Sequence, residues 1–172
     1  MNLVLRNTVI FIIYLLLQVF VFNHFTLFGV ATPHVFLLVL LMLPINTRFP
    51  FLLLMAFGMG LAVDVFSFNT FKGLHAFAAV LMMSLRLVWV NVFTNRFSYH
   101  GAEEYLLQVQ PPIWYVQYMF PLILVHHLAY YFLEAFSFAH FPLTLLKVGT
   151  SAVYTFAIVL ILTLLFHKTS KR

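Results

Sequence analysis

Six apolar runs occupy most of this chain: Val9–Phe28, Pro33–Ile45, Pro50–Phe68, Gly73–Phe93, Ile113–Phe136 and Pro142–Phe166. A bilayer core about 30 Å thick accepts helices of about 20 apolar residues, and inside it the backbone must hydrogen-bond to itself. Hydrophobic residues make up 64% of the 172 positions and charged residues 8%, with a mean hydropathy of +1.04. A water-soluble fold of this size has too little interior to hide that much apolar surface. The expected architecture is therefore an all-α polytopic membrane protein, with six transmembrane helices in one bundle and one integral domain over residues 1–172. No polar stretch exceeds about twenty residues, well below a usual domain, so no separate soluble domain is expected.

The first run is longer than the apolar segment of a signal peptide and has no small-residue cleavage site after it, so it reads as an uncleaved span. The second run is the short one. As a straight helix its thirteen residues rise only about 20 Å, so it must borrow from Gly29 onward or stay sheltered by its neighbours. Charge gives the orientation. With both termini cytoplasmic, Arg6, Arg48, Arg96, Lys168, Lys171 and Arg172 fall inside, and only Lys72 lies in an outer loop. Trp89 and Trp114 then sit at the cytoplasmic interface, and Arg86 is expected to snorkel toward it, with pairing to a bundle partner as the alternative. The longest connection, Thr94–Pro112 with Glu103 and Glu104, is expected to be a cytoplasmic loop carrying a short surface helix over Ala102–Val109. The nine basic residues are scattered, mainly at span ends with Arg86 and Lys147 within spans, and form no phosphate-binding stripe, so no nucleic-acid partner is expected. Cysteine is absent, which excludes a disulfide framework and a cysteine-ligated metal.

In this topology the unusual polar residues gather at the outer side: His24, His34, Asp64, Lys72, His75, Glu134, His140 and Lys147. Asp64 is the single aspartate of the chain. A carboxylate in hydrocarbon costs several kcal/mol or more, so it persists when paired, wetted or used. The spacing places Ala56, Gly60 and Asp64 on one helix face, a small-residue track that admits another helix closely. Its expected charge partners are His75 or Lys147, with Lys72 nearby and Glu134 taking a remaining cation. Gly149, Ala152 and Thr155 form a second small-residue face, read as internal packing, and the 22 phenylalanines read as lipid-facing bulk. His127 and Glu134 are seven apart on one face, and His with carboxylate can hold zinc. A zinc site needs three or four converging ligands, however, and only His140 is an obvious extra, so the histidines are expected to hydrogen-bond between helices and no metal or cofactor is expected. No nucleophile–base pair, phosphate loop or carboxylate pair is visible, so an enzyme is not expected.

Taken together, Gly60-x3-Asp64-x2-Ser67 at the end of the third run and Gly73-Leu74-His75-Ala76 opening the fourth resemble the rod shape-determining protein MreD family. Gln18, Gly29-x3-Pro33 with His34, Leu43-Pro44-Ile45-Asn46-Thr47, and His126-His127 leading to Phe132-Leu133-Glu134-x-Phe136-Ser137-Phe138 add to the likeness, in an aromatic-rich branch. The resemblance implies a bacterial inner-membrane, multi-pass scaffold without catalysis, a component of the cell-elongation complex. It implies a direct partner in MreC, and through it MreB, RodZ, RodA and a class B penicillin-binding protein, with a role in cell shape and peptidoglycan synthesis. It assigns Gly60, Asp64, Ser67, Gly73 and His75 to a structural or partner-interaction motif. The family is also similar in fold to the substrate-binding subunits of energy-coupling-factor vitamin transporters, so a small-molecule or lipid-binding subunit is the alternative.

Overall fold

A computed structural model describes residues 3–44, 47–67, 71–97 and 112–169. Its regular structure is helical: α1 (Leu3–Phe20), α2 (Leu37–Leu41), α3 (Phe49–Phe66), α4 (Leu74–Phe97), α5 (Pro112–Ala135) and α6 (Phe141–Thr169). Four of these helices are long and apolar enough to cross a membrane, over Phe49–Phe66, Leu74–Val92, Ile113–Ala135 and Phe141–Leu165. They follow the last four apolar runs to within a few residues, and the chain is a multi-pass membrane protein by that measure. Prolines stand at the starts of α3, α5 and α6, where a missing N–H costs nothing because first-turn donors have no helical partner. The surface helix expected over Ala102–Val109 lies outside the described residues.

Helix α3 packs on α4, α4 on α5, α5 on α6, and α1 on α3. Among these helices lies the second apolar run, held by hydrogen bonds to α1 and α6, and here the structure corrects the sequence. Only Leu37–Leu41 of the expected span Pro33–Ile45 is helical. Among the described residues this is the most deeply buried stretch, with Val35, Phe36, Leu37, Leu38 and Leu40 all fully buried. Five helical residues rise only about 7.5 Å, so α2 alone is no transmembrane helix. The first run also differs. It leaves the α-helix at Phe20, makes a 3₁₀ turn over Phe22–His24, and closes a tight turn in which the Leu27 and Ala31 backbones exchange hydrogen bonds of 2.9 and 3.1 Å.

Two side chains expected at the interface lie in the core instead. Arg86 is 2% exposed. Its Nε donates to the Tyr118 hydroxyl at 2.6 Å and its guanidinium also donates to the Leu43 carbonyl, while Tyr118 donates to Leu41 O at 3.0 Å. The carbonyls at the end of a helix have no intrahelical partner. In a short, buried helix such as α2, an arginine held by a tyrosine satisfies them, and this outweighs snorkelling. Trp114 is likewise buried and stacks on Tyr118 at 4.8 Å. Trp89 has a different task. Pro121, inside α5, supplies no N–H to the Gln117 carbonyl, and Trp89 Nε1 donates to that carbonyl from α4 at 3.2 Å.

Candidate functional site

The residues singled out around Asp64 build the corner where α3 turns into α4. The main-chain bond from Phe77 N–H to Gly73 O, 2.9 Å, makes Gly73 the residue just before α4, with its carbonyl accepting the first helical bond. Its φ of +94° lets the chain enter the helix from a direction closed to other residues, but a glycine has no side chain to cap the helix. Asp64 supplies the cap from the preceding helix. Its two carboxylate oxygens accept the N–H groups of His75 at 3.2 Å and Ala76 at 3.0 Å. Those are the second and third N–H groups of α4, the positions a cap normally serves, and the positive end of the helix dipole favours a carboxylate there. The main chain holds Asp64, in place of the His75 ring or Lys147 expected from the sequence. Lys72 donates to the Ser67 carbonyl, and Glu134 accepts from the Tyr130 hydroxyl at 3.3 Å.

Close approach of the two helices makes this cap possible. A Cβ at Gly60 would lie 2.5 Å from Ala76 Cα and 2.6 Å from the His75 carbonyl oxygen. The Ala56–Gly60–Asp64 track is therefore filled by α4 of the same chain.

A second polar set holds the irregular segment before α2. Non-helical backbone at membrane depth must find partners inside the protein. Gln18 of α1 accepts the Phe36 N–H at 3.2 Å and donates to Pro33 O at 3.0 Å and to Asn23 Oδ1 at 2.8 Å; Asn23 in turn donates to Ser67 Oγ at 3.1 Å. From the opposite side, Ser151 and Thr155, one turn apart on α6, accept the N–H groups of Thr32 and His34 at 3.1 and 3.0 Å. Tyr131 and His127, one turn apart on α5, back them up: Tyr131 meets Ser151 at 2.8 Å and His127 Nε2 meets Thr155 at 3.1 Å. His127 Nδ1 lies 2.8 Å from the Ile123 carbonyl, which can only accept, so Nδ1 carries the proton and Nε2 receives the Thr155 hydroxyl.

These two sets meet at a cavity of about 670 Å³ at the end of the bundle where α1, α3 and α5 finish and α4 and α6 begin. Asn23, Ser67, His75, Tyr130, Glu134 and Lys147 are among the residues around it, with His34. At its inner end the rings of His34, His75 and His126 crowd together, fully buried or nearly so, with His75 stacked on Tyr130 at 4.3 Å. His127 stacks on His34 at 4.7 Å. His140, weighed as an extra zinc ligand, is exposed at the start of α6, away from the cavity lining.

Sequence reasoning found Asp64, Gly60, Gly73 and His75 but missed the roles of Ser151, Thr155, Tyr131 and Asn23. The one available signal was the matched spacing of four on facing helices, Ser151 with Thr155 and His127 with Tyr131. Compared with known proteins, the chain matches no family model, no curated protein and no solved structure.

Proposed function

We propose that this chain is a non-catalytic, multi-pass scaffold of the MreD kind in a bacterial inner membrane. In this reading it binds MreC and, through it, works with MreB, RodZ, RodA and a class B penicillin-binding protein to maintain cell shape and direct peptidoglycan synthesis. The six crossings and cytoplasmic termini belong to the same reading. One observation supports it most. The residues that carry the resemblance, Gly60, Asp64, Ser67, Gly73 and His75, are used together at a single α3–α4 corner, as a close approach, a cap, a helix start and a cavity wall. A motif whose positions each have a physical task marks a shared fold more strongly than hydropathy does. Fold does not fix function, so the test falls on the partner. Because α4 fills the Ala56–Gly60–Asp64 face, the MreC helix is assigned to an outward face of the bundle.

The experiment is depletion in the native host combined with co-purification in mild detergent. Loss of cell width control, loss of MreC recruitment and recovery of MreC in the purified complex are expected. Unchanged width with normally placed MreC sinks the proposal. A second reading, a small-molecule or lipid-binding membrane subunit, draws on the cavity, whose volume lies within the roughly 300–1,000 Å³ of ligand pockets. A stoichiometric small molecule recovered by mass spectrometry from the purified protein, in the absence of MreC, favours that one.

A further inference from the structure

Among the described residues, four buried ring nitrogens have no hydrogen-bond partner: His34 Nδ1, His75 Nδ1 and both nitrogens of His126. Buried polar atoms are nearly always satisfied, because each unpaired one forfeits its hydration without return. Other buried polar side chains around this site, Gln18, His127, Tyr131, Ser151 and Thr155, are all hydrogen-bonded. The exceptions are concentrated in three rings that arrive from three separate segments: His34 from the stretch before α2, His75 from the first turn of α4, and His126 from the middle of α5.

We propose that His34, His75 and His126 form a binding site for one divalent transition-metal ion of the zinc class. One ligating nitrogen from each ring lies within 4.8 Å of the other two. Three points at that spacing surround a centre about 2.8 Å from each, so small ring rotations reach the 2.0–2.1 Å of a zinc–imidazole bond. The ring centroids, 4.7, 5.3 and 6.0 Å apart, leave no room for an intervening side chain. Imidazole suits zinc, copper, nickel and iron, and an all-histidine set without carboxylate oxygen disfavours magnesium and calcium. His127 is excluded as a ligand, since both of its nitrogens are engaged, by Ile123 O and by the Thr155 hydroxyl.

Two further features suit an ion. His34 and His75 line the cavity, which provides a way in. Two carboxylates stand close enough to balance the added charge: Asp64 on the peptide N–H of His75, and Glu134 on the hydroxyl of Tyr130, whose ring stacks on His75. Three protein ligands leave a tetrahedral ion one position for a molecule from the cavity. This inference is independent of both functional readings above, because it concerns an ion and three side chains rather than a partner.

The test uses the full chain, purified in mild detergent, stripped with a chelator and titrated with Zn²⁺ alone. Binding of one ion per chain and a rise in thermal midpoint on adding it are expected. His126→Gln and His75→Gln should each lose stoichiometric binding, while His127→Gln and His140→Gln should keep it. Removing a direct ligand should weaken binding beyond the roughly 10–100-fold typical of an outer-shell partner. X-ray absorption on the zinc-loaded wild type keeps the test independent of how the variants fold, and three imidazoles around the metal are expected. Absence of stoichiometric binding by wild type, binding undiminished in His126→Gln, or fewer than three imidazoles each overturns the proposal.

Discussion

Asp64 caps a helix, and that gives it a mutational signature distinct from a charge pair. Its two oxygens accept from two buried N–H groups, at 3.2 and 3.0 Å. Asn keeps one acceptor and turns a donor toward the second N–H; Ala leaves both unpaired, and an unmade buried hydrogen bond costs about 1–3 kcal/mol. Asp64→Ala should therefore lower stability by about 2–4 kcal/mol, and Asp64→Asn by clearly less, read as thermal midpoints in detergent. If charge pairing with Lys147 held the acid, the two variants would fall together and Lys147→Met would copy them. The cap leaves Lys147→Met near wild type. Gly60 and Gly149 provide a second contrast at this scale. A methyl at Gly60 meets α4 backbone at 2.5 Å, whereas at Gly149 it meets nothing within 4 Å. Gly60→Ala should cost at least about 1–3 kcal/mol because backbone, unlike a side chain, has no alternative rotamer. Gly149→Ala should be neutral or stabilising by up to about 1 kcal/mol, since a helix favours alanine. Equal effects at both positions would refute the close α3–α4 contact.

Among the elements, the segment Thr32–Leu41 depends on others for its shape. Its N–H groups at Thr32, His34 and Phe36 are bonded by Ser151, Thr155 and Gln18, so side chains do the work a helix does with its own carbonyls. Thr155→Val keeps the shape but leaves the His34 N–H and His127 Nε2 without a partner; Gln18→Leu releases Phe36 N–H and Pro33 O. Each should destabilise the protein by about 2–4 kcal/mol, with the loss localised. Hydrogen exchange is the sharper measurement. In Gln18→Leu the Phe36 amide should exchange faster while amides in the middle of α6 hold their protection. Uniform acceleration across the bundle would mean that Gln18 serves general packing and not this segment. Arg86 does the same at the other end of α2, with its bonds to Tyr118 and the Leu43 carbonyl. Lysine there would supply a point charge without the fixed fork, so Arg86→Lys should not restore the full stability.

At the scale of the whole molecule, the four long helices were legible because apolar length is a local property, and each run from Pro50 onward contains its own answer. The second run was not, because its thirteen residues look like a short helix until partners on α1 and α6 are seen. Arg86 and Trp114 were misplaced for a related reason: snorkelling is the default for a lone amphipathic side chain, and the carbonyls and ring that retain these two come from distant segments. The histidine cluster was hidden for the same cause. His34, His75 and His126 lie 41 and 51 positions apart, so no spacing rule joins them, whereas His127 and Glu134, seven apart, share a helix face that spacing reveals. The topology can still be argued from the helices that were legible. If the four long helices each cross, they return the chain to the side from which α3 began, so Arg48 and the ends of α4 and α6 share one face, and the cavity end shares the other. Positive residues favour the cytoplasmic side, and Arg48, Arg96 and Lys168 belong to the first face, against Lys72 on the second. Reporter fusions within 98–111 and at the C-terminus should therefore report cytoplasm, and one within 68–72 the opposite side. An N-terminal fusion reporting cytoplasm means that α1 and the segment through α2 together cross twice; the opposite report reduces the count to five and places Arg6 against the charge bias. A C-terminus on the side opposite the cytoplasm would invert the bundle and turn the histidine-lined cavity toward the cytoplasm, against the distribution of charge.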